Sequence, residues 1–314
     1  MRSKIDPEAA DPPVEPGAAA ACTSATTASI SYHLPGQAVS GAITSYYLLE
    51  VTGPGIVRDQ LFPEWTNFRL VLSGEWEADF PERAREPVPP ASITGTLERA
   101  VWAQGSAGLM VGVGLMPQGW PMFTSASADG FTDCLRPLSE AIGPAADVLH
   151  ERLKAVDRAA EGDAAYFKIL DEVFASLLTQ APEAAMVAAA HAALQDPQVQ
   201  TVTGWAAGLD LSSRQLERFC SRYFGLSPKR LLRRQRLLRT LAAMRDSEGG
   251  TMSQLLDAHF SDQAHFIHEF NYYMGTTPKV YLARPQPIMG EAWKRRKALL
   301  GAPVQLLQPP TGKE

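Results

Sequence analysis

The chain has 314 residues, a formal net charge of −5 and an apolar content of 45%, values typical of a globular protein with two domains. It contains no run of about eighteen or more apolar residues, which excludes a membrane-spanning helix. Residues 1–30 lack the apolar core of a secretory signal, so we expect a cytoplasmic protein. The three cysteines, Cys22, Cys134 and Cys220, form no CxxC pair, which argues against a disulfide framework or a zinc site.

Residues 1–30 are rich in alanine and proline. They are predicted to be a disordered tail, because they contain too little apolar surface to stabilise a fold. From residue 31 to about residue 140, the sequence changes to short runs of β-branched and aromatic residues. Four such runs, separated by glycine and proline, cover 43–51, 67–78, 91–102 and 107–116. This spacing predicts a small β-barrel of the cupin-like or jelly-roll kind.

Residues 141–195 are predicted to be helical. Apolar residues recur at a helical period over 138–156 and again over 166–177, and the run 184–193 is rich in alanine. These helices could cover the barrel, bridge two domains or form a dimer surface. The predicted fold class is therefore α+β, with a β-barrel and covering helices followed by an all-α domain.

The charge of the chain is distributed unevenly. Residues 211–300 contain 16 lysines and arginines against 7 acidic residues, a net charge of +9, whereas the rest of the chain carries −14. A basic segment in an acidic protein is typical of a domain that contacts a polyanion, although a solvated charged face would give the same count.

The C-terminal part contains an internal repeat. The segments YFGLSPKRLL (223–232) and YMGTTPKVYL (273–282) match at an offset of 50 residues. In each, a glycine ends one helix, a serine or threonine caps the next, and a proline occupies the first turn, where no N–H donor is needed. Two helix-turn-helix units within residues 196–285 are therefore predicted, with residues 286–314 as a C-terminal tail.

The first unit is predicted to have a helix over about 199–208 and a second helix over 213–223, with Ser212 as its N-cap. At about 100° per residue, the apolar face of the second helix holds Leu216, Phe219, Cys220 and Tyr223, and the outward face holds Arg214, Arg218, Ser221 and Arg222, with Glu217 at its edge. An apolar back and a guanidinium-rich front suit a recognition helix, because arginine can donate two hydrogen bonds to guanine in the major groove.

The second unit repeats this plan. The residues predicted to face inward are Met252, Leu255, Leu256, Phe260, Phe266, Phe270 and Tyr273, with the recognition helix starting near Asp262. Between the units, residues 228–245 are predicted to form one long basic helix. Such a rigid linker would place the two recognition helices in successive major grooves, about 34 Å apart.

These residues resemble the AraC/XylS family of transcription regulators. The matching segments are LSSRQLERFCSRYFGLSPKRLLRRQRL and FSDQAHFIHEFNYYMGTTPKVYL, within about 90 residues. The region from Tyr46 to about Leu178 is also similar to the β-rich N-terminal domain of one AraC-type subgroup. The resemblance implies double-stranded promoter DNA as the partner, with RNA polymerase, a small-molecule effector and a second copy of the chain as further partners.

The resemblance also implies the DNA-contacting residues. These are Arg214, Glu217 and Arg218 in the first recognition helix and Gln263, Ala264, His265 and His268 in the second. The outward face of the first recognition helix adds Arg222. The basic linker helix adds Arg230, Arg233, Arg234 and Arg236, some of which we expect to contact phosphates. The second unit departs from the family pattern: His259 stands where glycine is usual, Leu255 where a small residue is usual, and His268 where arginine is common. We therefore expect the second unit to read bases more weakly or to contact mainly the DNA backbone.

Three functions fit the sequence. The favoured one is a transcription activator whose β domain senses a small molecule or partner. The second is an effector-free regulator whose N-terminal domain serves only dimerisation or protein contact. The third is an enzyme joined to a DNA-binding domain, which would require an activated cysteine such as Cys134. A cavity in the β domain, lined by some of the aromatic residues between Trp65 and Trp120, would favour a sensor.

Catalytic and metal-binding motifs are absent from the sequence. There is no P-loop, dinucleotide fingerprint or Ser-His-Asp order. His265 and His268 share a helical face, but no third metal ligand has a suitable spacing. We therefore expect no enzymatic activity, no cofactor and no metal.

Overall fold

The computed structural model describes residues 25–246, 260 and 263–308. In these residues the last strand ends at Pro137 and the chain is helical thereafter. The predicted α+β class, a β-rich N-terminal part followed by a helical C-terminal part, is therefore confirmed. None of the helices in these residues is long and apolar enough to cross a bilayer.

The N-terminal part consists of short strands. They are β1 (Thr27–His33), β2 (Ile43–Thr52), β3 (Val57–Leu61), β4 (Asn67–Val71), β5 (Trp76–Asp79), β6 (Glu86–Pro87), β7 (Ala91–Thr94), β8 (Val101–Gly105), β9 (Gly108–Leu115) and β10 (Leu135–Pro137). One antiparallel sheet has the order β1-β2-β9-β4-β7-β10 and the other has the order β3-β8-β5-β6.

The two sheets do not close into the small barrel that the sequence predicted. The short strands β6 and β10 lie at sheet edges and contain Pro87 and Pro137. Proline has no N–H to donate, so pairing ends at such strands. The two sheets instead enclose one interior between them, to which both contribute side chains.

The predicted tail 1–30 is wrong in its last residues. Thr27–Ile30 belong to β1 and pair with β2, with Thr27 opposite Thr52 and Ile30 opposite Leu49. Pairing between distant segments depends on the partner strand, which local composition does not reveal. The first 24 residues of that tail lie outside the described part of the chain.

Strand β2 is buried on both faces because it lies between two apolar layers. Tyr46 and Leu48 pack against covering helices, whereas Tyr47 and Leu49 face the space between the sheets. On β9, a Cβ atom at Gly112 would lie 1.9 Å from the Tyr47 ring. Only glycine allows this ring to lie across the neighbouring strand.

The described helices follow in chain order. They are α1 (Trp120–Phe123), α2 (Ser139–Ile142), α3 (Ala145–Lys154), α4 (Arg158–Glu161), α5 (Ala164–Leu177), α6 (Ala184–Gln195), α7 (Val202–Gly208), α8 (Ser213–Phe224), α9 (Pro228–Asp246), α10 (Gln263–Met274), α11 (Pro278–Ala283) and α12 (Met289–Leu300). Helices α3 and α5 cover the six-stranded sheet, whereas α6 packs with α7 and α9.

The segment expected to be a C-terminal tail, 286–314, is folded over its described residues, 286–308. It forms α12 and returns to the β domain, where Arg296 pairs with Glu64 and the side-chain amide of Gln305 donates to the Leu115 carbonyl at 2.9 Å. In the KRRK run at 294–297, Arg296 is buried and the other three residues are exposed. Arg296 lies three residues after the buried Trp293, on the same side of α12, and therefore faces inward.

Candidate nucleic-acid interface

The first helix-turn-helix unit consists of α7 and α8. Thr201 caps α7, and Asp210 adopts the left-handed conformation (φ 55°) in the turn. Ser212 caps α8 in a reciprocal arrangement: its hydroxyl accepts from the Gln215 amide at 3.3 Å, and the Gln215 side chain accepts from the Ser212 amide at 2.8 Å. This capping box confirms the predicted N-cap and fixes where the recognition helix begins.

Removing this cap should loosen the start of the recognition helix. We expect Ser212→Ala to lower the free energy of unfolding by about 1 kcal/mol, because the Gln215 amide in the first turn loses its acceptor. Ser213→Ala is the matched control, since Ser213 is exposed and lies within the first turn. Urea unfolding of both variants is the measurement, and equal stability of the two would contradict this role of Ser212.

Helix α8 presents its charged face to solvent. Leu216, Cys220 and Phe224 are buried, and burial raises the pKa of the Cys220 thiol. The four side chains predicted to contact DNA from this helix are exposed: Arg214, Glu217, Arg218 and Arg222. Phe219 and Tyr223, predicted to face inward, lie at the boundary and are half-buried, with ring centroids 4.9 Å apart.

Both repeated glycines end their helices as predicted. Gly225 follows α8 with a φ of 78°, and Gly275 follows α10 with a φ of 64°. Thr277 then caps α11 by accepting from the Val280 amide at 3.3 Å. The predicted linker is a single helix, α9, which buries Leu231, Leu238 and Leu241.

The arginines of α9 have different environments. Arg230 is exposed, and its guanidinium lies 3.2 Å from the carboxylate of Glu98 in the β domain. Arg233 donates two hydrogen bonds, of 2.6 and 3.0 Å, to Glu269 of α10. Arg234 is fully buried. Of these three arginines, only Arg230 presents an exposed guanidinium from which a DNA phosphate could be contacted.

Arg233, expected to contact a phosphate, instead connects the linker helix to the second recognition helix. Its guanidinium also lies near the rings of Tyr272 and Tyr273. Arg236 approaches the same Glu269 carboxylate at 3.6 Å. Two arginines around one buried carboxylate fix the relative position of α9 and α10.

The second recognition helix, α10, has the predicted apolar back. Phe266, Phe270 and Tyr273 are buried. The residues predicted to face DNA are Gln263, Ala264 and His268, all exposed, and His265, half-buried with its ring edge-on to Phe260. The predictions for Met252, Leu255, Leu256, His259 and Asp262 fall outside the described residues.

Sequence reasoning missed the contacts between the β domain and both units. The Ala100 amide donates to the Tyr273 carbonyl at 2.7 Å, and Ser221 of α8 donates to Asp129 at 2.6 Å. These pairs lie far apart in the chain, and nothing in their local sequence marks them. The sequence feature that indicated such contacts is the charge asymmetry, because an acidic β domain can attract a basic C-terminal segment.

A metal centre at the interface receives no support from the geometry. His265 and His268 lie on α10, but the part of the chain that the structure describes contains no group of three or more His, Cys, Asp or Glu residues that could hold a metal ion.

Comparisons with known proteins agree with this arrangement at the C-terminus. A family model described as a helix-turn-helix domain matches residues 205–284. No curated protein matches the chain significantly.

Structures of two proteins, ToxT and CuxR, are among the solved structures similar to the chain. An apo variant of ToxT from Vibrio cholerae has 10% identity and a TM-score of 0.42, over 82% of this chain and 96% of that chain. Unsaturated fatty acid-bound ToxT from the same organism has 10% identity and a TM-score of 0.39, over 82% and 94%. CuxR, described as an AraC-like transcriptional activator, has 14% identity and a TM-score of 0.30, over 73% and 90%.

Proposed function

We infer that this chain, a DNA-binding transcription regulator with an AraC-type helix-turn-helix domain, is a cytoplasmic activator that binds promoter DNA with both recognition helices and senses a small molecule through its β domain. The observation that supports base reading most directly is helix α8. Its apolar side is buried and its start is capped, so Arg214, Glu217 and Arg218 project from a fixed backbone into solvent. Fixed guanidinium groups are suited to guanine edges in the major groove.

The sensing role is supported by a cavity between the two sheets. Its aromatic lining includes Phe62, Trp65, Trp76 and Phe80. The indole N–H groups of Trp65 and Trp76 are buried without a hydrogen-bond partner. Glu64, Arg69 and Arg296 add charged groups at the wall. This chemistry suits a largely apolar molecule that carries a hydrogen-bond acceptor.

The size of the cavity favours a second candidate function. Its volume is about 70 Å³, whereas ordinary ligand pockets hold roughly 300–1,000 Å³. An effector-free regulator, whose N-terminal domain serves only dimerisation or protein contact, would need no larger space. The two candidates differ in whether the cavity can open.

The test of DNA binding is selection of an operator from a random duplex library, followed by titration of the selected duplex at several salt concentrations. If the interface neutralises about six to eight phosphates, the log–log slope of affinity against salt should be roughly −5 to −7. Failure to enrich any duplex, or an affinity that barely changes with salt, would contradict the proposed interface.

A further inference from the structure

The enclosed cavity between the sheets adjoins a second, open space, which we call the outer cleft. The outer cleft has a volume of about 660 Å³ and lies beside the end of β4, the start of β5 and the end of β8, with His150 and Lys154 of α3 at its border. Trp76 and Val88 line both the cavity and the outer cleft. These two residues therefore form the partition between a space too small for an ordinary ligand and one within the usual size of ligand pockets.

The indole of Trp76 is held in place by packing. Trp76 on β5 lies opposite Gly105 on β8, and a Cβ atom at Gly105 would lie 2.4 Å from the ring. The ring therefore covers the backbone of that glycine. Trp76 is only 5% exposed, and no described residue accepts a hydrogen bond from its Nε1 atom. The indole thus has no hydrogen bond to break when it turns, and an acceptor that reached it would satisfy a buried donor.

Val88, the other half of the partition, belongs to a weakly paired sheet edge. It follows β6, which has two residues and pairs with β5. The Val88 amide donates to the Trp76 carbonyl at 2.8 Å, and the next two residues, Pro89 and Pro90, have no N–H group to donate. Segments with few backbone hydrogen bonds open locally at low cost. The partition can therefore move without breaking the pairing of β5 with β8.

The cavity and the outer cleft differ in their chemistry. The cavity is lined mainly by apolar and aromatic side chains. The outer cleft combines apolar residues, among them Ile56, which is 64% exposed, with the charged side chains of Glu75, Glu77 and Lys154. A molecule that spans both spaces would place an apolar end in the cavity, a polar end in the cleft and an acceptor beside Trp76.

We propose that the cavity and the outer cleft form one ligand site, with Trp76 as a movable partition whose indole N–H group donates a hydrogen bond to the bound molecule. The inference rests on the proposed function, because it deepens the sensing role of the β domain. The ligand class is an amphipathic organic molecule with an apolar end and a carbonyl or similar acceptor. Only the fraction of molecules in which the indole has turned can bind it, so the closed position lowers the apparent affinity.

The first test displaces the partition in the full chain. The probe is the dye prodan, an apolar naphthalene with one carbonyl acceptor, and its association is followed by stopped-flow fluorescence without DNA. We expect Gly105→Ala to bind prodan about five- to tenfold faster than the wild type, because the added methyl group occupies space that the closed indole needs. Gly41→Ala is the matched control, since a Cβ atom there meets nothing within 4 Å, and it should stay within about twofold of the wild type.

The second test removes the donor and keeps an aromatic ring. Trp76→Phe lacks the indole N–H group, so we expect bound prodan to emit at a shorter wavelength than in the wild type, because its carbonyl loses a hydrogen bond. Trp102→Phe is the matched control. Trp102 lies on β8 in the same sheet, but its ring contacts Arg58 and Arg284 outside the cavity and the outer cleft. Its replacement should leave the emission unchanged.

The outcomes separate this inference from the proposed function. A chain that selects no operator contradicts promoter binding and does not alter the dye results, which are obtained without DNA. Equal association rates of the wild type and a folded Gly105→Ala variant overturn the partition. If that variant does not fold, Val88→Ala shortens the other half of the partition and should also speed association.

Two further results would contradict the site itself. Unchanged emission in Trp76→Phe overturns the donor role of the indole. No prodan binding by the wild type or by any folded variant overturns the combined site and supports the effector-free regulator.

Discussion

Replacing Glu64 by glutamine is expected to lower the free energy of unfolding by about 3–5 kcal/mol. Glu64 follows β3, and Arg296 on α12 binds its carboxylate. Both side chains are only 8% exposed. The same carboxylate accepts from the Gln305 amide at 3.3 Å. Neutralising Glu64 leaves the Arg296 guanidinium buried beside a neutral partner, and an uncompensated buried charge is strongly destabilising.

Urea unfolding followed by far-UV circular dichroism measures this effect, with two comparisons. Glu291→Gln removes a half-exposed carboxylate on the same helix, near Lys294 and Arg295, and should change stability by less than about 1 kcal/mol. The double variant Glu64→Leu with Arg296→Met replaces both charges by apolar groups and should regain most of the loss. A single variant as stable as the wild type would show that the pair does not hold α12 on the β domain.

Replacing Arg218 by alanine is expected to weaken binding to the selected operator by about 1–3 kcal/mol. Arg218 lies on the exposed face of α8, one turn after Arg214, and the buried Leu216 and Cys220 anchor the helix from behind. Its guanidinium can pair with two acceptors of one guanine, so its loss should affect the cognate sequence. Binding to scrambled duplex should remain nearly unchanged.

The controls for Arg218 separate base reading from charge. Arg218→Lys restores the charge without the two-pronged donor and should recover only part of the affinity. Arg295→Ala removes an exposed arginine from α12, outside both helix-turn-helix units, and should affect neither duplex. Titrations of all variants against operator and scrambled DNA at one salt concentration are the measurement. Equal weakening on both duplexes would place Arg218 at the DNA backbone instead of at a base.

The α9 arginines show why a charge count does not identify a binding surface. A charge count treats Arg230, Arg233 and Arg234 alike, because all three lie on one basic helix. Their environments differ. Arg233 pairs with Glu269, 36 residues later in the chain, and Arg234 donates to the carbonyl of Leu97, 137 residues earlier. An arginine that is paired or buried in this way has little guanidinium left for a phosphate.

The features that the sequence predicted correctly depend on residues within a few positions of one another. The capping box joins Ser212 to Gln215, and the C-caps at Gly225 and Gly275 require only a residue that tolerates positive φ. The faces of α8 follow from its helical period. Such local preferences depend on the residue type at each position. The repeated segments were therefore enough to predict the linker helix and the capped start of the first recognition helix.

The remaining features were decided by the tertiary structure. Three features depend on which surfaces meet after folding: the two sheets stay open, α12 packs against Glu64, and the loop 95–100 contacts α10. The acidic excess outside residues 211–300 indicated that the two parts could attract each other. It did not indicate that Glu98 and Asp129 would lie on the basic surface, because net charge carries no geometry, and contacts between segments more than 90 residues apart are set by packing of the whole chain.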